Sequence, residues 1–206
     1  MFEHERFMKA ALDLAVRARA LGEVPVGAVV VLDGQVIGRG HNSSLALSDP
    51  TAHAEVLALR EASSRIGNYR LLGATLYCSV EPCLMCLGAA MHARIACVVY
   101  GARDLKVGAL GRLEALRALG ADFNHRVDSL GGVGAEAAAD LLLDFFRERR
   151  AASHARDPLE PEQENAERYR SGRNGGASKA SCLREEARGF ESPPLRQDPS
   201  ADWGVW

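Results

Sequence analysis

The sequence predicts an α/β fold in which helices cover a central mixed sheet of five strands. Short runs rich in β-branched residues alternate with stretches whose apolar residues recur at helical spacing. Because strands that alternate with helices are joined by crossover connections, part of the sheet is expected to be parallel. The Asp33-Gly34 pair between the first two apolar runs predicts a hairpin, which adds an antiparallel pair.

Each predicted element follows from a local pattern. The first helix has apolar residues at helical spacing and stops at Gly22. The second follows Asp49-Pro50, with Thr51 as a candidate N-cap, and ends near Gly67. The predicted helices cover 5–21, 51–67, 83–92, 112–119 and a last stretch from 134. The predicted strands cover 24–32, 36–41, 75–80, 95–100 and 126–130, and polar loops are expected at 42–50 and 101–111.

Composition divides the chain into a domain over residues 1–150 and a tail over residues 151–206. The tail holds few large apolar residues and many Glu, Arg, Ser, Gly and Pro residues. Such a segment buries too little apolar surface to offset the entropy of ordering it, so disorder is expected there.

Overall charge and cysteine content exclude several classes of protein. A net charge of −2 and a pI near 6.3 argue against a general nucleic-acid coating protein. Five cysteines in 206 residues do not make a disulfide framework. The charged start of the chain and the lack of a long apolar run predict a cytoplasmic protein without a membrane partner.

Two cysteines three residues apart, Cys83 and Cys86, follow Pro82 at the expected start of a helix. A helix start favours thiolate, the form that binds metal, and this spacing lets both sulfurs face one point. Alone, the pair is equally compatible with a redox pair, half of a structural zinc site, or chance. His53, near another predicted helix start, is a candidate third ligand.

One histidine and two cysteines would leave the fourth position of a tetrahedral zinc ion open, as in catalytic zinc sites. Glu55 lies two residues after His53 and is the candidate proton shuttle, although ideal helical spacing places positions i and i+2 on different sides. A thiolate and imidazole site suits zinc, but iron stays open as an alternative.

The chain resembles the zinc-dependent deaminases of the cytidine and deoxycytidylate deaminase superfamily in His53-Ala54-Glu55 and in Pro82-Cys83-Leu84-Met85-Cys86. Within that group it is most similar to the bacterial tRNA-specific adenosine deaminases. The stretches that carry this narrower resemblance are EVPVGAV (23–29), DPTAHAE (49–55), NYRL (68–71), GARD (101–104), NHRV (124–127) and FFR (145–147). The resemblance ends at about residue 150.

The resemblance implies a three-layer α/β/α fold, one zinc ion per subunit held by His53, Cys83 and Cys86, and a homodimer. It implies that a zinc-bound hydroxide deaminates adenosine to inosine at the wobble position of a tRNA anticodon, with Glu55 as the proton shuttle. The positions that match the family's nucleotide-contacting regions are Asn42, Ala54, Asp104, Lys106, Phe145 and Arg149.

Several of these roles have structural alternatives. Asn42 also has the residue type of a common loop cap, although nucleotide contact is the favoured interpretation, and Phe145 has the spacing of a core residue. Arg149 is also typical of a solvated helix end. Two other functions stay open: a deaminase of free guanine, cytosine or a nucleoside, and a catalytically inactive RNA-binding protein. The loops at 42–50 and 101–111 are expected to decide the substrate.

Overall fold

A five-stranded mixed sheet lies at the centre of the structure, a computed structural model that describes residues 2–120 and 123–156. The helices are α1 (Phe2–Ala20), α2 (Ser44–Leu47), α3 (Ala54–Ile66), α4 (Leu84–His92), α5 (Leu110–Ala118) and α6 (Ala135–Arg156). The strands are β1 (Gly27–Leu32), β2 (Gln35–His41), β3 (Thr75–Val80), β4 (Cys97–Ala102) and β5 (Asp128–Gly131).

The strand order is β2-β1-β3-β4-β5, and strand direction changes at β1. β1 is antiparallel to both β2 and β3, whereas β3, β4 and β5 pair in parallel. β2 and β3 therefore run in the same direction on either side of β1, with α3 as the crossover between them. The predicted hairpin and the predicted parallel crossovers are both present.

Two apolar cores cover the two faces of the sheet. The larger core joins α3, α4 and α5 to residues such as Ala28 and Val30 of β1. The smaller core joins α1 to the alternate residues Val29 and Val31 of the same strand. Because side chains alternate between the faces of a strand, this arrangement makes three layers, helix–sheet–helix, as the resemblance implied.

Two glycines of β2 allow α3 to pack closely against the sheet. A Cβ atom at Gly38 would lie 2.8 Å from the Cβ atom of Ala62, and one at Gly40 would lie 2.7 Å from the backbone nitrogen of Ala58. Any side chain at these two positions would push the helix outward. The first turn of α3 is thus held against the end of β2, where the Ala54 N–H meets the side chain of Asn42.

The structure corrects three details of the predicted elements. The short helix α2 lies inside the stretch predicted as the loop 42–50. Thr51 is not the N-cap of α3, because both its backbone N–H and its hydroxyl donate to Asp49 Oδ1, and His53 occupies the N-cap position. Cys83 is likewise the N-cap of α4, so Pro82 precedes the helix and is not its first residue.

The predicted tail, 151–206, lies outside the described residues from position 157 onward. The last described helix, α6, ends at Arg156. None of the helices within residues 2–120 and 123–156 has both the length and the hydropathy needed to cross a membrane.

Candidate active site

A cleft of about 220 Å³ opens at the edge of the sheet where β2 and β3 end. Its apolar walls are four valines: Val80 of β3, Val24 and Val26 before β1, and Val107 in the segment after β4. The polar residues that line it are Asn42, His53, Glu55, Glu81, Cys83 and Asp104. Because β2, β3 and β4 run in the same direction, the segments that follow these strands meet at this one edge.

Two helix starts point into the cleft. His53 and Cys83 are the N-cap residues of α3 and α4, and both have an extended backbone conformation. Neither side chain makes a capping hydrogen bond, so both are free to face the same point. The extended backbone of His53 also removes the spacing problem with Glu55, because only Glu55 lies inside the helix.

His53, Cys83 and Cys86 form a three-point group with the dimensions of a zinc site. The sulfur of Cys83 lies 3.6 Å from that of Cys86, and the two sulfurs lie 3.7 Å and 3.4 Å from His53 Nδ1. Tetrahedral zinc, with bonds of about 2.3 Å to sulfur and about 2.05 Å to nitrogen, separates two sulfurs by about 3.8 Å and a sulfur and a nitrogen by about 3.6 Å. The three ligand atoms therefore fit one metal ion without rearrangement.

Proton sharing within this group favours one thiolate. Hydrogen bonds from Cys86, and then from His53, lower the pKa of the Cys83 thiol to about 4. The same sharing with Cys83, reinforced by burial, raises the pKa of Cys86, and the hydrogen bond to Cys83 raises the pKa of His53. Because metal ligation needs deprotonated ligands, metal uptake would release the remaining protons.

Glu55 brings an unpaired carboxylate oxygen to the cleft. Glu55 is 4% exposed. Among the buried side-chain oxygens and nitrogens of the described residues, its Oε2 atom alone has no hydrogen-bond partner. Burial raises the pKa of the carboxyl group. A carboxyl group whose pKa is shifted towards neutrality, with one free oxygen beside a metal site, is suited to accepting and returning a proton.

Asn42 links the end of β2 to the start of α3. Its side-chain oxygen accepts a hydrogen bond from the backbone N–H of Ala54 at 3.0 Å. The structural alternative for Asn42 is thus present, while its amide NH₂ group remains available to a ligand in the cleft. Ala54 is fully buried and its N–H donates to Asn42, so its contact with the substrate stays a prediction.

Asp104 lies in the cleft wall, but its carboxylate also organises its own loop. Oδ1 accepts hydrogen bonds from the backbone N–H groups of Lys106 (2.8 Å) and Val107 (3.0 Å). Lys106 is exposed, and it is not among the residues that line the cleft. The structure therefore places Asp104 beside the site and Lys106 outside it on the same loop.

Phe145 and Arg149 lie together elsewhere. Phe145 is 5% exposed, and the guanidinium of Arg149 lies 5.2 Å from its ring centroid. Arg149 also donates to the carbonyl of Gly22 at 2.9 Å. Both residues line a separate cavity of about 520 Å³ between α1 and α6, and none of the described residues lines both this cavity and the cleft. Their contact with RNA stays a prediction.

Sequence reasoning gave no role to two buried glutamates beside the cleft, Glu23 and Glu81. They are 3% and 5% exposed, and their carboxylates accept hydrogen bonds from the backbones of the two neighbouring loops. A signal was present in the sequence, because each glutamate lies among apolar and proline residues where a charge needs a partner.

Comparison with known proteins identifies the family of the metal site first and the type of relative second. The family model for the cytidine and deoxycytidylate deaminase zinc-binding region matches residues 1–102. This match and the His-Cys-Cys group together point to zinc as the metal.

A tRNA-specific adenosine deaminase of Haemophilus influenzae is 49% identical over 148 residues, which are 71% of this chain and 84% of the relative. The chain belongs to the tRNA-specific adenosine deaminase family. The resemblance inferred from the motifs is confirmed, and the chain is accordingly a deaminase-family enzyme, a hydrolase.

Solved structures agree with this assignment. One from a study of A-to-I editing by tRNA:A34 deaminases is 42% identical, with a TM-score of 0.62, covering 66% of this chain and 99% of the other. A guanine deaminase from Nitrosomonas europaea is 26% identical, with a TM-score of 0.56, covering 68% of this chain and 83% of the other. The predicted cytidine-deaminase-like fold is confirmed, and the tRNA enzyme is the more similar of these two.

Proposed function

We propose that this protein deaminates adenosine to inosine at the wobble position of a tRNA anticodon. The observation that carries the proposal is the meeting of the His53-Cys83-Cys86 group with the unpaired oxygen of Glu55 in one cleft. The relatives named as tRNA-specific adenosine deaminases support tRNA as the substrate. A tRNA substrate also supports a cytoplasmic location.

Glu55 is proposed to move every proton in the reaction. One zinc ion per chain, held by His53, Cys83 and Cys86, would supply the Lewis acidity that makes water a nucleophile near neutral pH. As the water oxygen bonds to C6 of adenine, Glu55 accepts the water proton and gives it to ring nitrogen N1. It then takes the proton of the new hydroxyl group and gives it to the amino group, the C6–N bond breaks, and ammonia leaves.

The polar residues of the cleft are proposed to bind and orient the nucleotide. The free NH₂ group of Asn42 is a donor for the nucleotide, and Asp104 lies on the opposite loop. A volume of about 220 Å³ suits one base and part of its sugar, so the target base must leave its stack. Anticodon bases are already unpaired, which lowers the cost of that step. Lys106, Phe145 and Arg149 are proposed to contact flanking nucleotides.

A paired assay on purified protein tests the function. One reaction contains an anticodon stem-loop with adenosine at the wobble position, and the others contain free adenosine, guanine or cytosine. Inosine in the stem-loop with no product from the free compounds is the expected result. Ammonia from a free base with an unchanged stem-loop would move the enzyme to nucleobase metabolism, and no product with zinc-loaded protein would favour an inactive RNA-binding protein.

We further propose that the chain forms a homodimer through the face formed by α3 and α4. An apolar groove of about 440 Å³ runs between these helices, and Tyr69 on its edge is 62% exposed. Sedimentation of wild type and of Ala89→Glu, in the groove, tests this: the variant should sediment as a monomer. Leu143→Glu, at an exposed position on α6, is the matched control and should leave the dimer intact.

A further inference from the structure

The two loops that border the cleft are each fastened by one buried glutamate. Asn42 of the cleft begins the first loop, which contains α2, and Asp104 of the cleft belongs to the second. Among the described residues, neither loop is part of the sheet, so its position depends on isolated backbone contacts and on side-chain contacts. Glu23 contacts the first loop and Glu81 contacts the second.

Glu81 uses both of its carboxylate oxygens. Oε1 accepts a hydrogen bond from the backbone N–H of Leu110 at 3.1 Å, and Oε2 accepts one from the N–H of Asp104 at 3.2 Å. The Arg103 guanidinium lies 4.0 Å from Oε2 and is largely exposed. One side chain thus holds both ends of the segment 104–110 against the start of α4.

Gly108 shows how closely this segment approaches Glu81. A Cβ atom at Gly108 would lie 2.5 Å from the Glu81 carboxylate, so any side chain there would separate the two. Gly108 also forms an isolated bridge with Cys83, and the N–H of Ala109 donates to the carbonyl of Pro82 at 3.0 Å. The loop therefore packs against the start of α4, where the metal-facing Cys83 is the N-cap.

Glu23 holds the first loop with a single oxygen. Its Oε1 accepts the backbone N–H groups of both Leu45 (2.9 Å) and Ala46 (2.8 Å) in α2. Glu23 is followed by Val24, which lines the cleft. The two glutamates thus carry out the same task at opposite walls of the cleft, but with different numbers of acceptor oxygens.

We propose that Glu23 and Glu81 are positioning residues that hold the two loops in the conformation that receives the nucleotide. The role in substrate binding rests on the deaminase function proposed above. The different use of oxygens makes glutamine an informative replacement. A glutamine at 23 retains one oxygen that can accept both N–H groups, whereas a glutamine at 81 turns an NH₂ group towards an N–H donor and loses one bond.

Hydrogen exchange in the full-length, zinc-loaded protein tests the positioning itself. In Glu81→Gln, either the Asp104 or the Leu110 amide, whichever then faces the NH₂ group, should exchange about tenfold faster, the equivalent of one lost hydrogen bond, while Leu45 and Ala46 stay unchanged. Glu23→Gln should leave all four amides near wild-type rates, and Glu23→Ala should release only Leu45 and Ala46. Gly108→Ala should move the second loop away from Glu81 by steric contact, without changing the carboxylate. It should therefore also speed exchange in the second loop and leave Leu45 and Ala46 unchanged.

Steady-state kinetics on the anticodon stem-loop test the consequence for the substrate. Loops that bind ground state and transition state alike affect KM, so Glu81→Gln should raise KM about tenfold with kcat nearly unchanged. Glu61→Gln, at an exposed position on α3, should match wild type. A purely structural role would lower the melting temperature or zinc content without this split between KM and kcat.

The outcomes separate this proposal from the proposed function. If wild type does not act on the stem-loop, the function fails, while the exchange experiment still judges the positioning role. Unchanged amides in Glu81→Gln, or equal effects of glutamine at positions 23 and 81, would overturn the proposal. So would faster exchange accompanied by wild-type KM.

Discussion

The metal-facing group and the loops beside the cleft are fixed by different kinds of contact. His53, Cys83 and Cys86 stand at the starts of two helices whose packing against the sheet sets their positions. The loops are held by side-chain carboxylates that accept backbone N–H groups far away in the sequence. Each ligand is thus positioned by the local start of its own helix, although His53 and Cys83 lie thirty positions apart in the chain. Each loop contact, in contrast, depends directly on a side chain more than twenty positions away.

This difference separates the requirements of chemistry from those of substrate choice. A helix start that packs on a sheet edge positions a ligand with little dependence on the loops around it. A loop held by one carboxylate can change its sequence and shape while the metal-facing group stays in place. The family's shared fold and differing substrates are consistent with that separation.

Removing a metal-facing thiol should have the largest effect on zinc content and activity. Cys86→Ala should reduce zinc from about one ion per chain to nearly none and abolish activity, because two protein ligands remain where catalytic zinc uses three. Metal analysis of the purified protein measures this directly. Cys97→Ala, a half-buried cysteine of β4, is the control and should retain zinc and activity. Full zinc content in Cys86→Ala would contradict the assignment of ligands.

Replacing the proposed proton shuttle should separate chemistry from metal binding. Glu55→Gln should keep its zinc and lower kcat by about 10²–10⁴-fold, the usual contribution of general acid–base catalysis. Glu61→Gln, an exposed position on the same helix, should leave kcat unchanged. A near-normal rate in Glu55→Gln would remove Glu55 from the mechanism.

Asn42 joins the two regions, so its variants should show smaller and separable effects. Asn42→Asp keeps an oxygen for the Ala54 N–H but loses the NH₂ donors, so activity should fall by about 10–100-fold at normal stability. Asn42→Ala should also lose about 1 kcal/mol in free energy of unfolding, as for other lost helix caps. Urea unfolding and the stem-loop assay provide the two readouts. Wild-type activity in Asn42→Asp would leave only the capping role.

The sequence predicted the sheet and the metal-facing residues because both depend on local patterns. A continuous run of apolar, β-branched residues marked β1, and the H-x-E and P-C-x-x-C motifs marked the two helix starts. Thr51 was wrongly taken as the N-cap of α3, because the competing bonds to Asp49 are invisible in a propensity pattern. The helix α2 was missed because four residues give no helical period, and its N–H groups depend on the distant Glu23.

The roles of the remaining site residues could not be predicted from local patterns, because they depend on residues far away in the chain. Helical spacing gave Phe145 as a core residue as readily as an RNA contact, and only coordinates place it between α1 and α6. The role of Glu81 depends on Leu110, which lies 29 positions away in the chain. A motif records which residues share a local turn, but it does not record which distant amides a buried charge will meet.

The smallest expected effect concerns the pH dependence of stability in zinc-free protein. Burial raises the pKa of Glu55 in the folded state, so the folded chain holds this proton more tightly than the unfolded chain does. The stability that this proton contributes is fully present below the unfolded pKa and is lost as pH rises through the folded pKa. Glutamine does not titrate, so the difference in unfolding free energy between wild type and Glu55→Gln should shift against wild type on going from pH 4 to pH 8.

Urea unfolding of both chelated proteins across this range measures that difference, at about 1.4 kcal/mol for each unit of pKa shift. Glu55 also raises the pKa of His53 and of Cys86, so the measured difference reports Glu55 together with its effect on these two neighbours. A constant difference for Glu55→Gln would mean that the buried carboxyl group keeps an ordinary pKa, and that its unpaired oxygen gives the proton shuttle no advantage.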